Sequence, residues 1–162
     1  MDIAKRTSFG AIIVSTRELV SHIDEQATKL CNGSKYICFK LYGEINSATL
    51  REDIDKGADI FVTTPERFYE VIDKGYLKID NLRYAIFEEF DRLLSDLDIE
   101  KTIDILNQIR SFSLNSRKNL IICKELSTEL QKNFERIRRK NLFITRNNKK
   151  NVFGRNILHT IV

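Results

Sequence analysis

The chain contains few cysteines, and their arrangement excludes two common classes of small protein. There are three, Cys31, Cys38 and Cys123, so they cannot all pair with one another. None of them has the C-x-x-C spacing that is typical of zinc and redox sites. Small secreted domains that depend on disulfides carry many more cysteines than this. We therefore expect reduced, partly buried thiols, with neither a disulfide nor a metal cage.

The sequence also lacks a long hydrophobic run. No apolar stretch approaches the roughly 20 residues that are needed to span a bilayer. The opening MDIAKRTSFG has neither the charged start nor the apolar middle of a secretory signal. These absences predict an intracellular protein, in the cytoplasm or nucleus, with no membrane partner. No repeat, low-complexity block or Pro/Gly/Ser-rich linker divides the 162 residues, so one soluble domain is the expectation.

Positive charge is concentrated near the end of the chain. The segment from Lys132 to Arg155 holds nine Lys or Arg residues against a single Glu, a net charge of +8, whereas the whole chain carries +4. The remaining residues therefore sum to −4. Such a segment can attract phosphate electrostatically, or it can be the solvated outer face of a helix. Residues 146–162 are predicted to be a basic linker or tail.

Short apolar runs alternate with segments whose apolar residues recur at helical spacing. Between the first two runs, for example, Leu19, Ile23, Ala27 and Leu30 mark one face of a helix. This alternation favours right-handed crossovers and a mainly parallel sheet with helices on both faces, an α/β fold. The predicted strands are Ala11–Val14, Tyr36–Tyr42, Ala58–Val62, Tyr84–Phe87, Leu120–Cys123 and Leu142–Thr145.

An acidic cluster directly follows the apolar Tyr84–Phe87 strand. It consists of Glu88, Glu89 and Asp91. Carboxylates just past the carboxyl end of a strand lie where open α/β sheets bind their ligands, which suggests a nucleotide's metal. Acidic residues that open a helix are also favoured by its positive amino end, so the same cluster fits a purely structural helix start.

Several short motifs occur in a fixed order along the chain. They are Ser15-Thr16-Arg17-Glu18-Leu19, Gly43, Lys56-Gly57-Ala58-Asp59-Ile60, Thr64-Pro65 with Arg67, and Phe87-Glu88-Glu89-Phe90-Asp91-Arg92-Leu93-Leu94. In this order they resemble the first RecA-like domain of the DEAD-box RNA helicases. The resemblance runs from about Ala11 to about Thr145. It implies a RecA-like domain over residues 1–145, incomplete at its N-terminus.

The resemblance also implies which residues contact RNA. The RNA-backbone candidates are Thr16, Arg17, Gly43, Thr64 and Arg67, whose contacts would be independent of base sequence. Both threonines also fit ordinary helix caps, and both arginines fit surface ion pairs. The family's paired glycines become Gly43-Glu44, and its Thr-Pro-Gly-Arg becomes Thr64-Pro65-Glu66-Arg67. Because both changes add negative charge near the implied phosphate path, RNA binding is expected to be weak.

The nucleotide site of the family is only partly represented. The family needs a Gly-rich loop ending in Gly-Lys-Ser/Thr, and these residues contain no Gly-Lys pair. The family's Asp-Glu-Ala-Asp becomes Glu88-Glu89-Phe90-Asp91, and its Ser-Ala-Thr becomes Cys123-Lys124-Glu125. We therefore expect a vestigial acidic motif and no cofactor. ATP and magnesium would bind only if the missing N-terminal segment is supplied from elsewhere.

Three functions are consistent with these features. The leading hypothesis is a degenerate, ATPase-inactive DEAD-box-like domain that acts as a binding or scaffolding module in RNA metabolism or RNA silencing. The second is a fragment of an active ATP-dependent helicase whose nucleotide loop and second lobe lie outside this chain. The third is an RNA-binding domain that does not use ATP.

A missing strand has a consequence for partners. In the family the strand before the phosphate loop lies inside the sheet, so its absence should leave an unpaired gap or demand a rearrangement. An unpaired strand edge pairs readily with another chain. We therefore expect a protein partner or a homodimer.

Overall fold

A parallel sheet with flanking helices forms the body of the protein. The computed structural model describes residues 8–42, 56–95 and 118–124, the strands at 142–145 and 156–160, and positions 50, 52, 54, 100, 102–104, 107, 128 and 132, which are helical. The strands are β1 (Gly10–Ile13), β2 (Cys38–Leu41), β3 (Ile60–Thr63), β4 (Tyr84–Phe87), β5 (Lys118–Cys123), β6 (Leu142–Thr145) and β7 (Asn156–Thr160). Helices with defined bounds are α1 (Arg17–Cys31), α2 (Pro65–Asp73) and α3 (Phe90–Ser95).

The sheet has the strand order β2-β3-β1-β4-β5-β7-β6. The first five strands in this order are parallel to one another, in registers that align their carboxyl ends. In one such register Ile13 lies opposite both Thr63 and Phe87. The predicted α/β fold with a mainly parallel sheet is confirmed.

Side chains of β1 alternate between two apolar cores, as the period of two in a strand requires. Ala11 and Ile13 belong to the larger core, to which α2 and α3 contribute. Ile12 and Val14 face the smaller core, which Val20 of α1 completes. Helices therefore cover both faces of the sheet. Parallel strands buried on both sides read as continuous apolar runs, which is why the sequence revealed them.

Helix α2 is anchored by its buried face and ends sharply. Phe68 and Val71 are fully buried beneath it. At its end the N–H of Gly75 donates to the carbonyl of Ile72, and the N–H of Tyr76 donates to the carbonyl of Val71, each at 2.9 Å. This pair of bonds is the Schellman ending, and it places Gly75 at a φ of +69°. A glycine adopts that conformation without strain, so α2 stops before β4 begins.

Two further strands extend the sheet beyond β5. Asn156–Thr160, within the segment predicted to be a linker or tail, form β7, which pairs antiparallel with both β5 and β6. In the described sheet β7 lies between β5 and β6. In the part of the chain that the structure describes, no helix is both long and apolar enough to cross a membrane.

Candidate functional site

The carboxyl ends of the parallel strands bring most of the predicted site residues to one edge of the sheet. The N–H of Val14 donates to the carbonyl of Thr63 at 2.9 Å, and the N–H of Glu88 donates to the carbonyl of Ile13 at 3.0 Å. These bonds join the segments that follow β1, β3 and β4. Polar residues from three different motifs are therefore neighbours, as expected for an open α/β sheet.

Thr16 caps the amino end of α1. Its Oγ1 accepts a hydrogen bond from the N–H of Leu19 at 3.2 Å. The next residue, Arg17, is exposed in the first turn of the helix. Beside the cap, the Oγ of Ser15 is buried and has no hydrogen-bond partner among the described residues. A buried hydroxyl without a partner is costly, so this edge of α1 is suited to receiving a ligand.

The two candidate threonines should differ in their effect on stability. Thr64 also precedes a helix, but its side chain makes no capping bond to α2. We expect Thr16→Ala to lower the free energy of unfolding by about 1 kcal/mol and Thr64→Ala to lower it by less than about 0.5 kcal/mol. Urea denaturation measures both, and Thr16→Ser, which keeps the oxygen, serves as the control. Equal losses for the two alanine variants would show that Thr16 is not the cap.

Arg67 lies in the first turns of α2 with most of its side chain enclosed. Only 14% of the side chain is exposed, and its Nη1 pairs with the Glu70 carboxylate. Its Nε and Nη2 are buried and lack partners within the described residues. Glu70 also receives a bond from Lys74 at 2.5 Å, and the hydrogen bonds from Lys74 and then Arg67 hold the pKa of Glu70 below its usual value. The guanidinium thus has two donors that no described residue satisfies.

Pro65 and Glu66 open the same helix. Pro65 occupies the first helical position, as the sequence predicted. Glu66 is acidic in the first turn, where the positive end of the helix favours it. The carboxylate that would repel a phosphate therefore stabilises the helix that carries Arg67.

The acidic segment between β4 and α3 is held by interactions within the chain. Glu88 is only 6% exposed, and it interacts with other residues of the protein. The Glu89 carboxylate pairs with Nη1 of Arg92 at 3.2 Å. Oδ1 of Asp91 accepts a weak bond from the backbone N–H of Lys124 at 3.4 Å. The Glu89 and Asp91 carboxylates therefore each have a partner inside the protein, and Glu88 is almost fully buried.

Backbone geometry and packing fix this segment further. Glu89 has a φ of +51°, a left-handed conformation that costs a residue with a side chain about 1–2 kcal/mol. Phe90 is only 1% exposed, and its ring packs edge to face against Phe87, with ring centroids 6.0 Å apart. The ring is therefore a core side chain that holds the start of α3 against β4.

The described thiols and carboxylates do not converge as a metal site would require. No group of three or more His, Cys, Asp or Glu side chains converges on one point within the described residues. Burial, with a smaller contribution from the Asp91 carboxylate, raises the pKa of Cys123 to about 11. Burial likewise raises the pKa of Cys38 to about 12, and Cys31 is a free thiol too. Cys38 and Cys123 therefore remain protonated at neutral pH, which makes them poor nucleophiles.

Some predicted residues fall outside the described part of the chain, and one structural residue was overlooked. Gly43, Glu44 and most of the basic Lys132–Arg155 segment lie outside the described residues. Glu70, which orients Arg67, was not among the candidates. Its spacing of three residues from Arg67 on a helix was the available signal, since such pairs lie on one helical face.

A family comparison matches most of the chain. The family model described as DEAD/DEAH box helicase matches residues 3–145. Among curated proteins, the DEAD-box ATP-dependent RNA helicase 14 of Arabidopsis thaliana is 33% identical over 92 residues. That match covers 57% of this chain and 15% of the relative, so the chain spans a small part of the relative's length.

Solved structures share the fold. A variant of Dbp5 from S. cerevisiae, bound to a variant of Gle1 and IP6, superposes with a TM-score of 0.69 at 12% identity and covers 84% of this chain and 33% of that one. The structure of Mss116p bound to ssRNA and AMP-PNP superposes with a TM-score of 0.68 at 24% identity, covering 83% and 28%. At 12% and 24% identity, the similarity to these two structures shows a shared fold and nothing about function.

Proposed function

Because the chain belongs to the DEAD/DEAH box helicase family, we propose that this domain is a degenerate member that binds or scaffolds in RNA metabolism without using ATP. The observation that carries the proposal is the internal pairing of the acidic segment. Glu89 is held by Arg92, Asp91 by the N–H of Lys124, and Glu88 is almost fully buried.

The pairing of these carboxylates supports a domain that does not hold magnesium. The ion requires nearly ideal octahedral geometry, and proteins usually hold it with one or two carboxylates, several waters and the phosphates of the substrate. Turning Glu89 and Asp91 toward a metal would break the bonds that both now make. The Phe90 ring is locked in the core at 1% exposure, so the segment cannot easily shift as a unit.

A second candidate function, RNA binding without ATP, is favoured by Arg67. Two of its buried nitrogens have no partner among the described residues. A guanidinium recognises phosphate through paired N–H donors, and such charge-assisted bonds are stronger than neutral ones. The backbone phosphate of single-stranded RNA supplies the matching acceptor. Glu66 lies one residue away and weakens this attraction, so binding is expected to be weak and independent of sequence.

Two titrations of the full chain test the proposal. With a fluorescent ATP analogue and magnesium, we expect no saturable binding below roughly 1 mM. With single-stranded RNA, we expect weak, salt-dependent binding that is the same with and without ATP. Micromolar ATP binding, or RNA affinity that changes with ATP, would overturn the proposal in favour of a fragment of a working helicase.

A charge-removing variant locates the RNA. Glu66→Gln keeps the shape of the side chain and removes its charge, so RNA affinity should rise by about fivefold, since a carboxylate near a phosphate costs about 1 kcal/mol in a solvated setting. Glu25→Gln is the matched control, because Glu25 is exposed farther along α1 and its partner is Lys29. Equal responses to the two changes would indicate that RNA does not contact the start of α2.

A further inference from the structure

The amino ends of the parallel strands form a second edge, on the side of the sheet opposite to the candidate site. A continuous row of backbone hydrogen bonds runs along it. The N–H of Asp59 donates to the carbonyl of Ile37, the N–H of Phe9 donates to the carbonyl of Asp59, and the N–H of Arg83 donates to the carbonyl of Phe9. The row ends where the N–H of Lys118 donates to the carbonyl of Arg83. Side chains from five strand starts are thereby fixed side by side.

Large apolar side chains on this row are unusually open to solvent. Tyr36 and Ile37 are each 44% exposed, and Tyr84 is 47% exposed. Phe9 lies between the two tyrosines, with ring centroids 5.4 Å from Tyr36 and 6.5 Å from Tyr84, both edge to face. Edge-to-face packing fixes the rings in place. The result is a rigid aromatic patch, the amino-edge patch, made of Phe9, Tyr36, Ile37 and Tyr84.

Positive charge surrounds the amino-edge patch. Nζ of Lys35 lies 5.7 Å from the centre of the Tyr36 ring. Arg83 and Lys118 are exposed, and Lys118 lies directly opposite Tyr84 in the sheet register. The nearest acid on the row is Asp59, whose carboxylate accepts the N–H of Ile37 at 2.8 Å. A partner that covers the patch therefore meets cations at its rim, which complement acidic groups.

The arrangement of the rings favours a peptide over a nucleic acid. Single-stranded nucleic acids bind by stacking successive bases on open ring faces. Here the rings stand at 68° and 82° to Phe9, and an ammonium group lies over the face of Tyr36. Gaps between edge-to-face rings instead suit an apolar side chain, with carboxylates reaching the rim. We propose that the amino-edge patch binds an acidic peptide segment of a partner protein, with an aromatic or aliphatic side chain seated against Tyr36 and Tyr84.

This inference is independent of the proposed function, because it uses the opposite edge of the sheet. The probe is a fluorescein-labelled nine-residue peptide of Asp and Glu that carries one Phe and one Leu, titrated against the full chain by fluorescence anisotropy. Saturable binding below roughly 1 mM is expected. Replacing its Phe and Leu with Ala, or its acids with Asn and Gln, should abolish saturation. No saturation with the parent peptide would overturn the inference.

Variants place the peptide on the patch. Tyr36→Ala and Tyr84→Ala should each weaken binding about fivefold or more, as truncation of an aromatic anchor does. Lys118→Glu should also weaken binding, whereas Lys124→Glu should not, because these two exposed lysines lie at opposite ends of β5. Circular dichroism confirms that each variant is folded. Equal effects of the two lysine changes, or displacement of the peptide by a ten-nucleotide oligouridylate that itself depends on Tyr84, would overturn the inference.

Discussion

Replacing Phe68 with alanine is expected to lower the free energy of unfolding by about 3–5 kcal/mol, as deletion of a buried ring does. Phe68 is fully buried and joins α2 to the larger core beneath the sheet. Native domains are stable by only about 5–15 kcal/mol, so this single change removes a large part of the total. Urea denaturation followed by circular dichroism measures the loss.

Tyr69→Phe is the matched control for Phe68→Ala. It changes the neighbouring residue on the same helix and removes only a hydroxyl, which makes a long 3.4 Å bond to Asp73 at the surface. We expect a change below about 0.5 kcal/mol. If Phe68→Ala costs no more than Tyr69→Phe, α2 does not depend on this ring, and the position assigned to Arg67 loses its support.

Replacing Arg67 with methionine is expected to separate binding from stability. The change removes two buried donors that have no partner among the described residues, and Glu70 keeps its bond to Lys74. Removing one partner of a buried ion pair is costly only where it leaves a buried charge without compensation. Glu70 is 38% exposed and remains paired with Lys74, so the free energy of unfolding should stay within about 1 kcal/mol of the parent. Loss of a charge-assisted bond worth about 1.5–3 kcal/mol should weaken RNA binding about 10- to 150-fold.

Lys74→Met provides the comparison for Arg67→Met. Lys74 is the other cation on Glu70, and its side chain is 48% exposed. A surface pair of this kind contributes about 0–1 kcal/mol, and its loss should change RNA affinity far less than the loss of Arg67. Filter binding at several salt concentrations gives both affinities, and the salt dependence shows how many RNA phosphates each variant neutralises. If both variants bind RNA equally well, Arg67 does not touch a phosphate, and RNA binding without ATP loses its principal support.

Much of the fold follows from local sequence patterns. Tyr84–Phe87 and Leu142–Thr145 have the predicted bounds, and the bounds of the other predicted strands shift by at most two residues. These runs are recognisable because strands buried on both faces are apolar throughout. β7 was not predicted, because five residues after a basic segment carry little local signal and are placed by pairing with β5. Distant pairing of this kind is not encoded in any short window of sequence.

The candidate site was predictable in its position and less so in its chemistry. Strand ends and helix caps located Thr16, Thr64 and Arg67 on one edge. Their partners were not predictable, since the buried donors of Arg67 and the bond from Lys124 to Asp91 depend on three-dimensional packing. The amino-edge patch was not predicted from the sequence either, because Tyr36 and Tyr84 have the pattern of ordinary strand residues and only the structure shows that they are exposed. Gly43 stays a prediction.

The late position of β7 in the chain has a consequence during synthesis. One side of β5 lacks its neighbour until Asn156–Thr160 have been made. At about 5–20 residues per second, the ribosome takes about 2–7 s to travel from the end of β5 to the end of β7. During that interval an apolar edge of the nascent sheet stays open, which is a recognised cause of aggregation. Chaperone capture of the growing polypeptide should therefore be strongest in this interval and should end when the last strand docks.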